Sequence, residues 1–420
     1  MTRGVSMDDN KQIIRKEDYI FGLDIGASKV NLFVGISEGD SVRVVECGDF
    51  PLANADEYDL VVDTLQQAVQ QLERSAGVDV RDVYVGIAGK HVLSFSYKGI
   101  ITLPTNEVRE IDIENVKKQA STLPNGAGSL IHAFPGEYTL DDEKGIRNPK
   151  GRTGRRLEVD VQLVTSRQNA LQNLTKCINR AGLNVSGYVL EPLAAACAVL
   201  SDDERELGVA LIDIGAGSAD IAVFLKDSVR YTNSLDLAGN VITSDISKCL
   251  NVPISLSKAE EIKKKYGTCV ISNLIEDETF PVPAVGDRGD VPCSRKLLAR
   301  VITARVSEIF QLLAKDLHKQ QLDSLIDGGI VLTGGCCELE GIENVASKAF
   351  GGKPVRIGHP KGMTGIQDAY QKPSYATGVG LLHYANKQHR DKKKNDTGAH
   401  IKVPISDVVG RVVGFMKKYF

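Results

Sequence analysis

Two stretches of the chain carry the same hydrophobic pattern. From Leu207 to Phe224 (LGVALIDIGAGSADIAVF), apolar and largely β-branched runs flank Asp213, Gly215 and Gly217, which predicts a buried strand, a tight glycine turn and a returning strand. From Phe21 to Ile36 (FGLDIGASKVNLFVGI) the pattern recurs: Asp24, Ile25, Gly26 and Ala27 match Asp213, Ile214, Gly215 and Ala216, and a second apolar strand follows. Such self-similarity implies a duplicated domain in which each half offers one turn to a shared cleft. A third apolar run, Gly329 to Gly341 (GIVLTGGCCELEG), ends in Gly334 and Gly335 ahead of a helix-like segment, an arrangement that commonly brings backbone to a ligand.

Helical and strand periods alternate around these stretches. Val42 to Gly48 and Val83 to Ala88 read as strands, and Asp56 to Ala76 as a helix with Leu60, Val61, Leu65, Ala68, Val69 and Leu72 on one side. That order predicts a mixed sheet in an α/β domain. From about His91 to Val164 the pattern breaks into short strand-like pieces punctuated by Pro104, Pro124, Pro135 and Pro149, with one amphipathic helix at Ile111 to Ser121. Asn169 to Ala181 is helical, Val185 to Leu190 is a strand, and Pro192 suits the first turn of the next helix. Lys258 to Gly267 opens a smaller subdomain. Ser294 to His318 is a long helix with Leu298, Ile302, Ile309 and Leu313 inward and Lys296, Arg300, Thr303, Ser307 and Gln311 outward.

Residues 387–404 read as a linker too charged to fold alone. Ile405 to Phe420 (ISDVVGRVVGFMKKYF) then gathers Val408, Val409, Val412, Phe415, Met416 and Phe420 on one broad helical side, with Arg411, Lys417 and Lys418 opposite. The segment is too short and too charged to span a bilayer and suits its surface. Docking on the protein's own body is the competing reading, disfavoured by the long tether and the lysines.

Composition narrows the class. A chain of 420 residues exceeds what one core usually supports, and 42% hydrophobic with 25% charged content is ordinary for a soluble globular protein. A net charge of −3 argues against bulk electrostatic nucleic-acid binding. No early segment has a signal peptide's apolar core, residues 1–17 read as a disordered tail, and a cytosolic protein is expected. The eight cysteines include no C-x-x-C pair, so reduced thiols are expected, with Cys336 and Cys337 as small side chains filling a crowded turn.

The chemistry follows from the turns. Backbone N–H groups aimed at one point suit an anion, glycine admits a phosphate close to the chain, and an acid at the strand end suits the accompanying metal. An ordinary glycine hairpin is the alternative for either copy alone; the ordered set of three favours a nucleotide cleft.

Further segments carry a family resemblance. Glu191-Pro192-Leu193-Ala194-Ala195-Ala196 and Tyr375-Ala376-Thr377-Gly378-Val379-Gly380-Leu381-Leu382 resemble the two connecting helices of the actin, hexokinase and DnaK-type ATPases. Gly89-Lys90-His91, His132, Gly145-Ile146-Arg147-Asn148-Pro149-Lys150-Gly151 and Ala238-Gly239-Asn240-Val241 resemble the bacterial cell-division FtsA family. The resemblance implies an actin-like α/β fold of these boundaries: a first core subdomain at 18–88 and 166–207, an inserted subdomain 1C at 89–165, a second core subdomain at 208–243 and 325–386, a small subdomain at 244–324, a linker at 387–403 and a membrane-targeting helix at 404–420. It implies ATP with Mg²⁺. Asp24, Gly26, Ala27, Ser28 and Lys29 would form the first phosphate loop, and Asp213, Gly215, Ala216, Gly217 and Ser218 the second. Asp24 and Asp213 would face the metal through water, and Gly334 and Gly335 the nucleoside. Glu260 and Lys263 would reach ribose and adenine; as a surface ion pair they would need no ligand. Glu191 would orient the attacking water, with a helix-capping acid as the even alternative.

The family also implies filaments, attachment of FtsZ's C-terminal peptide near Arg295, Lys296 and Arg300, later division proteins on 1C, and a place at the cytoplasmic face of the inner membrane at the division site. The chain departs from the family at Ala27, usually threonine, and at GAGS in place of GGGT, so slow or undetectable turnover is expected. Lys150, Arg152, Arg155 and Arg156 form a basic cluster read as a solvated loop. The rivals are an FtsA-like pilus-assembly ATPase and a small-molecule phosphotransferase, the latter lacking a base that faces an acceptor pocket.

Overall fold

The computed structural model describes residues 18–123, 126–250, 252–272, 274, 278–283, 289–365 and 370–397. The expected N-terminal tail and the amphipathic segment, with every membrane residue named above, lie outside the described residues.

The chain opens with β1 (Tyr19–Ile25), β2 (Lys29–Glu38) and β3 (Ser41–Pro51), then α1 (Tyr58–Ala76) and β4 (Asp82–Ile87). It leaves for an inserted unit of β5 (Val92–Thr102), α2 (Glu110–Ala120), β6 (Ser129–Leu140), β7 (Glu143–Ile146) and β8 (Arg156–Ser166), and returns with α3 (Gln168–Arg180), β9 (Asn184–Leu190) and α4 (Glu191–Val199). After α5 (Asp202–Leu207), the second half runs through β10 (Val209–Ile214), β11 (Ala219–Leu225), β12 (Ser228–Leu235), α6 (Gly239–Cys249) and α7 (Leu256–Tyr266). There follow β13 (Thr279–Pro283), β14 (Asp290–Ser294), α8 (Arg295–Lys319), β15 (Ile330–Thr333), α9 (Ile342–Ala349), β16 (Val355–Ile357), β17 (Met363–Thr364) and α10 (Ala376–Thr397).

The duplication is explicit in the sheets. One is ordered β3-β2-β1-β4-β9, with β17 added beside β3, and the other β12-β11-β10-β15-β16. Counted within each half, both run third, second, first, fourth, fifth, with the first three strands antiparallel and the last two joined parallel. β10 is buried along its whole length, as an unbroken apolar run must be when both sheet faces are covered. α1 presents Val61, Val62, Leu65, Ala68, Val69 and Leu72 to the first sheet and ends at Gly77 in the left-handed conformation.

The connecting helices α4 and α10 cross between the halves at backbone distance. A Cβ built on Gly380 would lie 1.7 Å from the Ala194 carbonyl oxygen, and one on Gly378 would lie 1.9 Å from the Phe33 ring. Only hydrogen fits at either position, which is why this helix tolerates two poor helix formers in its first turns. Around them, one apolar cluster joins the halves, with Phe33, Ala194, Leu211, Phe224, Val331 and Leu382 among its members.

The inserted unit has its own core, α2 against the sheet β5-β8-β6-β7. The second half does not divide so cleanly: one cluster runs from Ile212 and Ile221 through Ile262 and Phe280 to Leu298 and Ile309, so the stretch assigned to a small subdomain shares the core of its neighbour.

Two expectations change. Gly334 and Gly335 lead into a 3₁₀ turn, Gly335–Glu338, and the helix begins only at Ile342. The stretch expected as a linker from 387 is helical to Thr397. Charged residues fold there because the helix is not alone: Asn386 donates to the carbonyls of Gly39 (3.1 Å) and Ser41 (3.3 Å), Arg390 pairs with Asp40, and Lys387 and Gln388 are buried. Tertiary contact supplies what local propensity lacks.

Candidate functional site

The two glycine elbows are built alike. Gly26 N–H donates to the Lys29 carbonyl at 2.9 Å and Gly215 N–H to the Ser218 carbonyl at 3.0 Å. Strand register makes Asp24 the cross-strand partner of Asn31, and Asp213 that of Asp220. The elbows meet tip to tip, since a methyl built on Gly217 would lie 2.8 Å from the Ala27 methyl. The second elbow is held from behind: Gly239 N–H donates to the Gly215 carbonyl (3.1 Å), Asn240 N–H to that of Ala216 (2.8 Å), and the Cys336 thiol also reaches the Gly215 carbonyl (3.2 Å).

Gly334 completes the enclosure. Its φ of +90° suits glycine, and a side chain there would meet Asp213 Oδ1 at 2.4 Å and the Ile214 carbonyl at 2.5 Å. Gly335 is open by comparison. Gly334 N–H (3.2 Å) and the Thr333 hydroxyl (2.9 Å) both donate to the Pro373 carbonyl, which ties the third strand to the start of α10.

Four carboxyl groups share this enclosure. Asp213 is buried, accepts the Thr377 hydroxyl at 2.9 Å, and is pushed up to about 7 by burial and then by the charge of Asp220. Asp24 is pushed up to about 6 by burial, with Lys29 opposing and Asp49 adding to the shift. Glu191, the first residue of α4, is held well above the usual carboxylate range by burial and by the charges of Asp24, Asp220 and Asp213. Burial also raises Asp220, which accepts the Ser218 hydroxyl (2.6 Å) and the Gly89 N–H (3.4 Å). Negative charge gathered this way, with so few donors, suits a ligand that brings a cation. Among the described residues no three acids, histidines or cysteines converge closely enough to hold a metal ion by themselves. Hard oxygen donors at Asp24 and Asp213 fit Mg²⁺ only with phosphate oxygens and water completing its shell.

Other expected site residues are placed less centrally. The Lys29 ammonium lies 3.2 Å from Asp49 and 4.3 Å from the centre of the Tyr375 ring, and Asn31 and the Tyr375 hydroxyl also donate to Asp49. Ser28 is exposed, with its carbonyl accepting from Leu52 N–H at 2.9 Å. Lys263 is buried, donating to the Gly239 carbonyl (3.0 Å) and the Thr243 hydroxyl (2.9 Å) and pairing with Glu260 at 2.6 Å. Burial works to raise Glu260, yet Lys263, Thr243 and Lys264 together hold it below its ordinary value. The pair therefore braces the loop that backs the second elbow.

Away from the cleft, Arg295 pairs with Glu278 at 2.5 Å, while Arg300 is exposed on α8. In the basic cluster Lys150, Arg152 and Arg156 pair with Glu110 (3.1 Å), Glu143 (2.6 Å) and Glu158 (2.8 Å). Cys336 and Cys337 are buried; burial pushes Cys336 up to about 11 and Cys337 well above the usual thiol range. Unreactive space-filling thiols are what such values describe.

Sequence reasoning missed Asp220, Thr377 and Asp49. Asp220 was within reach: with a turn of fixed length, the residue opposite Asp213 is seven positions on, as Asn31 is from Asp24. Thr377 and Asp49 come from distant strands and helices and have no such signal.

Comparison with known proteins adds two family models. "Cell division protein FtsA" matches residues 210–380, and "SHS2 domain inserted in FTSA" matches residues 89–165. Cell division protein FtsA of Pseudomonas aeruginosa is 39% identical over 380 residues, covering 89% of this chain and 90% of the relative. The protein of the same name from Neisseria meningitidis serogroup B is 36% identical (92% and 94% covered), and that from Escherichia coli K12 is 34% identical (96% and 98%). Among solved structures, the PilM-PilN type IV pilus biogenesis complex aligns with a TM-score of 0.59 at 18% identity over 87% of this chain and 98% of the other. MreB5 of Spiroplasma citri bound to ADP aligns at 0.53 and 15% identity, over 91% and 100%. These likenesses show the fold: a duplicated, actin-like α/β domain with an inserted subdomain.

Proposed function

The chain belongs to the FtsA family of cell division proteins, and from that premise we propose that its cleft binds ATP with Mg²⁺ between the two elbows and that it ties FtsZ to the cytoplasmic face of the inner membrane. The meeting of the elbows tip to tip, beside four acids whose charges act on one another, carries this reading. Backbone N–H groups of Ala27 to Lys29 and Ala216 to Ser218 grip the phosphates from two sides, while those of Gly26 and Gly215 close the two turns. Asp24 and Asp213 would hold Mg²⁺ through water, and the ion would supply positive charge that favours their ionised forms. Glu191 orients the attacking water once ionised, and Gly334 and Gly335 lie beside the nucleoside.

Turnover is slow for two reasons: Ala27 brings a methyl where a hydroxyl would assist, and burial with the charges of Asp24, Asp220 and Asp213 pushes Glu191 towards its protonated form. Arg300, with Arg295 and Lys296, receives the acidic peptide of FtsZ on α8. The inserted subdomain serves self-association and later division partners.

The tail at 404–420 anchors weakly. Each large apolar side chain contributes at most roughly 1.5–3 kcal/mol and each cation about 1 at an anionic surface, less the cost of folding a valine- and glycine-rich helix. Filaments present many tails at once, and each later contact is intramolecular. Membrane attachment thereby depends on assembly.

Gly215→Val tests the nucleotide reading. A Cβ there has room within the protein, its nearest neighbour being the Ser218 carbonyl at 3.6 Å, so the variant folds while its branches occupy phosphate space. ATP and ADP affinity by calorimetry should fall at least ~10-fold, about 1.4 kcal/mol. Unchanged affinity in a folded variant refutes the reading.

A further inference from the structure

His132 lies on β6 of the inserted sheet and is 1% exposed. Its Nε2 accepts the N–H of Leu190 at 3.0 Å. Leu190 ends β9, a strand at the sheet edge that pairs with β4 alone, and it immediately precedes Glu191. The other ring nitrogen, Nδ1, has no hydrogen-bond partner although it is buried. The ring stacks on Phe134 (centroids 5.4 Å apart) and meets Tyr384 edge-on at 6.4 Å. An apolar side chain of similar size would fill this space equally well. What histidine adds is a single acceptor, aimed at the backbone one residue before the cleft's acid, at the expense of an unpaired Nδ1–H. Burial pushes the imidazole down to about 3, so the acceptor is present throughout the neutral range.

The same strand also reaches the second half. The Pro135 carbonyl accepts the Ser228 hydroxyl at 3.2 Å, and Glu137 pairs with Lys226 (2.8 Å) and Arg230 (3.3 Å) of the β11–β12 hairpin. β6 therefore touches both halves of the duplicated domain, and its polar contact with the first half falls at the root of Glu191.

We propose that His132 is a positioning residue for Glu191: through the Leu190 N–H it sets where α4 begins, and so couples the placement of the inserted subdomain to the acid that orients water. This rests on the reading of the cleft as an ATP site with Glu191 at the γ-phosphate.

The test uses the full chain with His132→Leu, which removes the acceptor, and His132→Gln, whose Oε1 falls near the place of Nε2. ATP affinity is measured by calorimetry, hydrolysis by single-turnover phosphate release, and the Leu190 amide by hydrogen exchange. For His132→Leu the expected result is ATP affinity within about twofold of wild type, hydrolysis slowed about tenfold, and faster exchange at Leu190. His132→Gln should restore the last two. In a Glu191→Gln background, His132→Leu should slow hydrolysis no further. Hydrolysis untouched by His132→Leu, or lost equally in the leucine and glutamine variants, overturns the proposal. So does a wild-type protein that binds ATP and never hydrolyses it. A wild-type protein that does not bind ATP brings down the reading of the cleft, and this assignment with it.

Discussion

Replacing Asp213 by asparagine should stabilise the ligand-free protein while removing its function. Asp213 is 8% exposed, accepts one hydroxyl, from Thr377, and stands across the strand pair from Asp220. Its carboxyl is pushed from 3.8 to about 7, by burial first and the Asp220 charge second. The folded protein therefore binds this proton more tightly than the unfolded chain. The penalty for ionising it is absent below the unfolded value, grows as pH rises between the two, and is complete above about 7. A shift of this size corresponds to about 4 kcal/mol at pH 8, reduced when Asp24, Glu191 and Asp220 share the remaining protons.

Asparagine keeps the acceptor for Thr377 and the shape of the side chain without the charge. In urea unfolding at pH 8 with chelator and no nucleotide, Asp213→Asn should gain about 2–4 kcal/mol over wild type. The wild-type protein should lose more stability than the variant between pH 5 and pH 8. With ATP and Mg²⁺ the order should reverse, because only the wild-type protein binds and is stabilised by its ligand. A variant no more stable than wild type at pH 8, or an equal pH dependence in both, refutes the argument.

Gly380→Ala should destabilise. Alanine gains about 1 kcal/mol of helix propensity, but its Cβ would lie 1.7 Å from the Ala194 carbonyl oxygen, and overpacking of that severity costs about 3 kcal/mol. A net loss of about 2 kcal/mol is expected in urea unfolding, and a variant as stable as wild type would show that α4 and α10 can separate freely. For the membrane tail, anionic vesicles should pellet the full chain and leave behind a chain ending at Thr397. Thr397 is the right end point because a cut at Asn386 would also remove the Arg390–Asp40 pair. Equal pelleting of the two removes the tail's membrane role.

The hydrophobic pattern was enough to reveal the duplication, since a buried strand, a glycine turn and a returning strand leave a local record that survives copying. It located both elbows, the third strand and the long helix α8, whereas the connecting helices were legible only through the family resemblance of their segments. Local order also held the clue to Asp220, because a hairpin of fixed turn length determines which residue faces which. Pairings between distant segments left no such record. Lys29 turns to Asp49 and Tyr375, Lys263 is consumed by Gly239 and Thr243, and the charged residues after Asn386 fold because Gly39, Asp40 and Ser41 wait beside them. The elevated proton affinities of Asp24, Asp213 and Glu191 belong to the same class. One carboxylate says little about its own charge, and only a fold that brings four of them out of water decides which keep their protons.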